Sequence, residues 1–206
     1  MSGTAYFSER FLGGETLLLA SLSPRRAELL RLVGARFEVV APGEEPPPGP
    51  DSPEAEVIRL ARAKAGAVAE AHPERWVLAA DTLVFQDGEL LGKPRETSEA
   101  RGMLRRLQGT WHEVFTGICL ARSGRLLSAA ERSRVRFAAM SAADIDAYVR
   151  TGEPMDKAGA YGIQGFGALW VDRIEGCYFN VMGLPLPRLA ALARQAAGSA
   201  PAEPAG

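Results

Sequence analysis

Short apolar runs alternate along the chain with stretches of helical period. Thr16–Ala20 (TLLLA) is bounded by turn residues and predicts a buried strand. Ser23-Pro24 puts a capping side chain ahead of a proline at the first helical position. Ala27, Leu29, Leu30 and Leu32 follow before Gly34 stops that helix. Phe37–Val40 predicts a second strand, and Ser52-Pro53 repeats the cap signal for a longer helix to about Ala71. Trp76–Ala80 predicts another buried strand. Leu83–Phe85 and Glu89–Leu91 flank Asp87-Gly88, a hairpin signal. Thr97 or Ser98 caps a helix whose apolar face is Ala100, Met103, Leu104 and Leu107, ending at Gly109. Val114–Leu120 and Leu126–Phe137 predict strands joined at Ser123-Gly124. Ser141 and Asp144 form a capping box before a helix ending at Gly152. A glycine-rich stretch from Gly159 to Gly167 leads into a strand at Leu169–Ile174. Tyr178–Met182 predicts the last strand and Pro185–Ala197 the last helix.

Alternating helices and strands with two hairpins predict an α/β fold with a mixed sheet rather than a purely doubly wound one. Residues 1–14 show no clear periodicity and are expected to be a loose lead-in. Residues 15–197 are expected to form one domain, and 198–206 (GSAPAEPAG) a disordered tail. The 206 residues are 47% hydrophobic and 24% charged, a balance that argues against wholesale disorder. No apolar run approaches the ~18 residues of a membrane span, and no signal peptide is visible. The net charge of −1 argues against a protein that coats a nucleic acid polymer. Cys119 and Cys177 form no C-x-x-C pair, which argues against a zinc site or a disulfide framework. A soluble, cytoplasmic protein is expected.

Five features could carry chemistry. Arg25 and Arg26 stand in the first turn of a helix, where the macrodipole favours anions; with the free N–H groups they make a place for a phosphate. Two solvated surface arginines would look the same. Lys64 lies seven residues after Val57 on an apolar helix seam, so it must snorkel, pair with a carboxylate or reach a cleft. Asp81-Thr82 follows a buried strand, at the kind of strand end where open α/β sheets place ligands. Lys93 in Leu91–Arg95 (LGKPR) is presented on a loop stiffened by Pro94. In Asp156–Gly165 (DKAGAYGIQG), glycines allow close approach to a ligand, and Gln164 could read a base edge. Singly, an ordinary turn or loop explains each of the last three. Together, Arg25, Arg26, Lys64 and Lys93 suit a polyphosphate. Glu44, Glu45 and Asp81 suit a magnesium ion and an activated water. His112 beside Trp111 reads as structural, and His72 as a helix C-terminal cap.

At these residues the sequence resembles the Maf family of nucleotide pyrophosphatases. The resemblance rests on LASLSPRRAELL (Leu19–Leu30), AADT (Ala79–Thr82), LGKPR, LQGTWHEVFT (Leu107–Thr116), DKAGAYGIQG and VMGLP (Val181–Pro185). It implies an elongated mixed β-sheet flanked by helices, with two lobes and a central cleft, similar to the inosine triphosphate pyrophosphatases. It also implies a metal-dependent (Mg2+ or Mn2+) cut between the α and β phosphates, giving a nucleoside monophosphate and pyrophosphate. The DKAGAYGIQG form points to the subgroup acting on dTTP and UTP, with specificity positions on Arg25, Thr82 and Gln164. By the same resemblance Asp81 is the catalytic acid–base position, with Lys93 and Glu45 beside it, and Asp81 and Glu45 the metal positions. Ser21, Arg25, Arg26, Lys64 and Lys93 match phosphate-contacting positions. The family glutamate falls in PGEEPPPG, on Glu45 rather than Glu44, although this loop's length and prolines depart from the usual pattern. A homodimer is what the family suggests. The alternatives are a 7-methyl-GTP or other modified-nucleotide pyrophosphatase, and a non-catalytic nucleotide-binding regulator of septum formation.

Overall fold

The computed structural model describes residues 4–44, 46, 47, 49 and 52–198. Its elements in chain order are α1 (Tyr6–Phe11), β1 (Leu17–Ala20), α2 (Pro24–Leu32), β2 (Phe37–Val40), α3 (Pro53–Ala71), β3 (Val77–Gln86) and β4 (Glu89–Leu91). There follow α4 (Thr97–Leu107), β5 (Trp111–Arg122), β6 (Arg125–Phe137), α5 (Ala142–Arg150), β7 (Val171–Glu175), α6 (Tyr178–Val181) and α7 (Leu186–Ala196). Three 3₁₀ turns, Glu153–Asp156, Ala158–Ala160 and Phe166–Trp170, lie between α5 and β7. One seven-stranded sheet runs β2-β1-β3-β5-β6-β7, with β4 paired to β3. β1 is parallel to β2 and β3, and the remaining pairings are antiparallel. This is the elongated mixed sheet the sequence predicts.

Side chains on a strand alternate between the faces of its sheet, and the cores follow that period. Leu17, Leu19, Leu78, Ala80, Ile118 and Leu120 pack with residues of α1, α2 and α7 on one face. Leu18, Ala20, Val77, Ala79 and Cys119 pack against α3 on the other. Burial on both sides explains why β1 reads as an unbroken apolar run. Farther along the first face, Val84, Val114, Val135 and Phe137 meet α4 and α5 in a separate core. These two cores define the lobes. Between them the strands carry Thr82 and Thr116, directly opposite each other and hydrogen-bonded at 3.0 Å. A polar pair replaces apolar packing at the seam.

β1 pairs with β3 only through Leu19↔Leu78, and β4 joins the same edge from Val84↔Leu91. Among the described residues that edge of β3 therefore has no ladder partner between Leu78 and Val84. Asp81 and Thr82 stand in this gap. Sequence reasoning ends the strand near Ala80, but β3 continues through Asp81 to Gln86, held throughout by β5. What ends at this point is the parallel neighbour β1.

Three local expectations are corrected. Part of the predicted loose lead-in is helix α1, whose Phe7 and Phe11, four residues apart, are buried in the first core. Tyr178–Met182, predicted as a strand, forms the helical turn α6. Asn180 is fully buried there and donates to the Val114 carbonyl and the Ser133 hydroxyl, bonds that override local β-propensity. α4 is preceded by Glu96, not Thr97 or Ser98, at its cap position. The Ser141–Asp144 capping box and His72 at the end of α3 are as predicted. The predicted tail lies outside the described residues from 199 onward. Among the described residues no helix is long and apolar enough to cross a membrane.

Candidate active site

A cavity of about 740 Å³ opens at the gap in the sheet, between the lobes. The β1–α2 turn brings Ser21, Arg25 and Arg26 into its wall, and Lys64, Asp81 and Lys93 line it as well. Val84, Val114, Tyr161, Ile163, Val181 and Met182 form the apolar part of the same lining.

Lys64 reaches the cavity by pairing with a carboxylate. Its ammonium lies 2.5 Å from Asp81 Oδ1, and both residues are buried, at 8% and 7% exposure. The seam of α3 that carries Lys64 can approach the sheet because residue 117 is glycine. A Cβ there would stand 2.2 Å from the Val57 carbonyl oxygen, and Gly117 is the direct cross-strand neighbour of Asp81. Burying an ion pair is weak evidence of a stability role, because desolvation offsets the attraction. It is better explained by a task for the two charges in the cavity.

Arg26 is held by three elements. Its Nη1 donates to Ser21 Oγ at 2.9 Å, its Nη2 to Thr82 Oγ1 at 3.2 Å, and its Nε to the Gly183 carbonyl at 2.9 Å. The guanidinium fork thus ties α2 to β3 and to the turn before α7. Gly183 presents that carbonyl from a positive φ of +102°, a backbone conformation that favours glycine. Thr82 passes the contact on to Thr116, which donates to the Asn180 carbonyl.

Arg25 leans across the cleft to Asp156, 3.5 Å away on the opposite lobe. Burial tends to raise the Asp156 carboxyl. The Lys157 hydrogen bond and the Lys157 and Arg25 cations outweigh it and hold the group below the usual carboxylate range. Lys93 is exposed on the cavity rim, on the loop after β4.

Thr82 and all the predicted phosphate-contacting residues therefore meet in one cavity, together with Asp81. Two predicted site residues do not join them. Gln164 is exposed and does not line the cavity; the chain turns outward after Ile163, where the Phe166 and Gly167 N–H groups bond Glu153. Glu45 lies outside the described residues, and Glu44 is exposed away from the cavity lining.

Three residues at or beside the cavity escaped sequence reasoning. Glu56, in the first turn of α3, is buried and lines the cavity. Arg59 hydrogen bonds hold its carboxyl below the usual range against the effect of burial, and Gly49 N–H adds to this. The Glu56-x-x-Arg59 spacing was a visible signal. Lys157 lines the cavity too, bonded to Asp156 and to the Glu153 carbonyl. Tyr161 lines the cavity and has its hydroxyl 2.8 Å from His112 Nε2. Burial pushes the His112 imidazole down to about 3, so it is a neutral structural partner.

Among the described residues no group of three or more His, Cys, Asp or Glu could hold a metal ion. Magnesium commonly uses one or two carboxylates plus substrate phosphates. Asp81 supplies one carboxylate at the cavity, while both Glu56 oxygens are engaged by Arg59 and Gly49. This donor set fits an ion held jointly with a polyphosphate.

The family model described as "Maf-like protein" matches residues 16–196. A dTTP/UTP pyrophosphatase of Symbiobacterium thermophilum is 53% identical over 175 residues, covering 84% of this chain and 90% of that relative. One from Myxococcus xanthus is 50% identical over 182 residues, covering 87% and 92%. Among solved structures, the Staphylococcus aureus Ham1 protein superposes with a TM-score of 0.44 at 15% identity, over 60% of this chain and 72% of that one. With the match spanning the sheet, the cavity and nearly every helix, this chain belongs to the Maf family.

Proposed function

We propose that the protein is a nucleoside triphosphate pyrophosphatase that hydrolyses dTTP and UTP between the α and β phosphates. The observation that carries this reading is the convergence of Arg25, Arg26, Lys64 and Lys93 on the cavity that holds Asp81. The names of its relatives support the base preference.

In this reading the base packs on the apolar lining residues Val84, Tyr161 and Met182, and the triphosphate lies along the cations. Arg25 exchanges its distant Asp156 contact for phosphate oxygens. Arg26 keeps its three protein acceptors and fixes the Ser21 hydroxyl and the start of α2 against the phosphates. Asp81 accepts a proton from a water as that water attacks the α-phosphorus. Lys64, at Oδ1, orients the carboxylate. The α-phosphorus–oxygen bond to the β-phosphate breaks and pyrophosphate leaves, its charge met by Lys93 and the arginines; one such preorganised donor can be worth about 3–4 kcal/mol. A divalent cation, magnesium or manganese, held by Asp81 and by Glu45 as the resemblance assigns, supplies further charge neutralisation on the phosphates. A cytoplasmic homodimer belongs to the same reading on family resemblance, and light scattering after size exclusion tests the dimer.

The test is a panel of nucleotides with magnesium, followed by phosphorus NMR. Pyrophosphate from dTTP and UTP, ahead of 7-methyl-GTP and the common purines, is the expected result. Orthophosphate release, or binding without product, overturns it.

A further inference from the structure

The 3₁₀ segment after α5 carries a half-buried carboxylate that no step above uses. Glu153 Oε1 accepts from the Tyr148 hydroxyl at 2.7 Å and from Gly167 N–H at 3.0 Å, and Oε2 accepts from Phe166 N–H at 2.7 Å. Tyr148, buried on α5 in the far-lobe core, uses the same hydroxyl oxygen to accept from Gly162 N–H at 3.1 Å. Two side chains thus hold both ends of the segment 162–167. That segment contributes Gly162 and Ile163 to the cavity wall and carries Gln164 between the two held points.

The backbone is wrapped so closely around this pair that side chains are excluded. A Cβ on Gly165 would stand 2.1 Å from Glu153 Oε2, and one on Gly167 would stand 2.6 Å from the Tyr148 hydroxyl oxygen. The glycines of this stretch thus serve the wrapping of the loop around two polar side chains.

We infer that Tyr148 and Glu153 are positioning residues that set base selectivity, by fixing the 162–167 segment where its Gly162 and Ile163 line the cavity. The inference rests on the proposed pyrophosphatase reading. A loop needing only closure could be closed by apolar packing, without the desolvation cost of a carboxylate. Here backbone N–H bonds and the Tyr148 hydroxyl hold the Glu153 carboxyl below the usual range, against the burial that raises it. Hydrogen bonds fix direction as well as distance, which selecting among bases requires. Glu153 is also tied to the charged part of the lining: Lys157 bonds the Glu153 carbonyl and Asp156, and Asp156 reaches Arg25.

The test uses the full chain and two variants, Tyr148→Phe and Glu153→Gln, with the double variant. Tyr148→Phe keeps the buried ring and removes only the hydroxyl. Two quantities are read: kcat and KM for UTP against dCTP and dGTP, and the affinities of the non-hydrolysable α,β-imido analogues of dUTP and dGTP. Each single variant is expected to raise KM for UTP about tenfold, the worth of one well-placed hydrogen bond. The preference over the other bases should shrink by a similar factor and kcat change by less than about threefold. The double variant should lose little more than either single one, because the two residues act as one unit. Unchanged selectivity with lowered thermal stability would make the pair structural only and overturn the inference. If the wild type releases no pyrophosphate, yet discriminates between the analogues and loses that discrimination in Tyr148→Phe, the reaction is misassigned while the inference holds. An absence of discrimination in the wild type overturns the inference outright.

Discussion

Asp81 and Lys64 are both buried, 2.5 Å apart, and both line a cavity that also takes in Arg25, Arg26 and Lys93. Replacing Asp81 by Asn keeps the shape and removes the base. Turnover of dTTP is expected to fall by about 10²–10⁴-fold, while calorimetry with an α,β-imido analogue still shows binding; near-normal turnover would contradict the assigned role. His112 gives a second prediction at this scale. Its folded-state value is pushed down to about 3 by burial, from an ordinary 6.5. A base with a depressed folded value stays neutral in the fold while the unfolded chain takes up a proton. The contribution to stability is therefore complete above about pH 6.5 and is lost as pH falls below it, by about 1.4 kcal/mol per pH unit. Thermal melts between pH 7 and 4.5 should show that decline, and His112→Phe, which keeps an aromatic ring against Phe137 and Tyr161, should flatten it. An equal slope in both proteins would contradict burial as the cause. The residues that bear charge against local expectation, Arg25, Arg26 and Lys64, were legible in the sequence because each breaks a local rule. Glu153 and Tyr148 were not, because their partners are backbone groups of a loop whose path no local pattern reveals.

Among the elements, β3 and α3 do the positioning. β3 pairs with β5 from Val77 to Phe85, but β1 and β4 leave its other edge open around Asp81 and Thr82. A polar pair in a buried run looks like a strand end in sequence, so Trp76–Ala80 and the hairpin strand Leu83–Phe85 were legible and their union in one strand was not. α3 lies close because Gly117 offers no Cβ to the Val57 carbonyl. Gly117→Ala should overpack this contact at a cost of about 1–3 kcal/mol, a melting temperature lower by roughly 2–12 °C for a chain of this size. It should also lower kcat/KM, since the displaced helix carries Lys64. Differential scanning calorimetry and steady-state kinetics read the two effects, and an unchanged pair of values would contradict the close-approach argument. Helix α1 is short, and six residues give too little period to read; its Phe7 and Phe11 disclose it only in three dimensions. In α6 the sequence YFNV has strand-forming residues, and the buried bonds of Asn180 decide otherwise.

Across the whole molecule, two cores on one face of a single sheet leave a polar seam, and the cavity occupies it where the sheet is incomplete. Its charged wall is assembled from chain segments spread from Arg25 to Lys157. Composition and spacing suggested the phosphate chemistry of that wall, and the family resemblance added the order of its motifs. The apolar part of the lining was less legible, since Gln164 turns away while Tyr161, Ile163 and Met182 line the cavity. The central claim is that Asp81 directs a water at the α-phosphorus. Hydrolysis of dTTP in oxygen-18 water, with mass spectrometry of both products, tests it most directly. Attack at the α-phosphorus places the heavy oxygen in dTMP and leaves pyrophosphate unlabelled. Label in pyrophosphate, with none in dTMP, would show attack at the β-phosphorus and contradict the account.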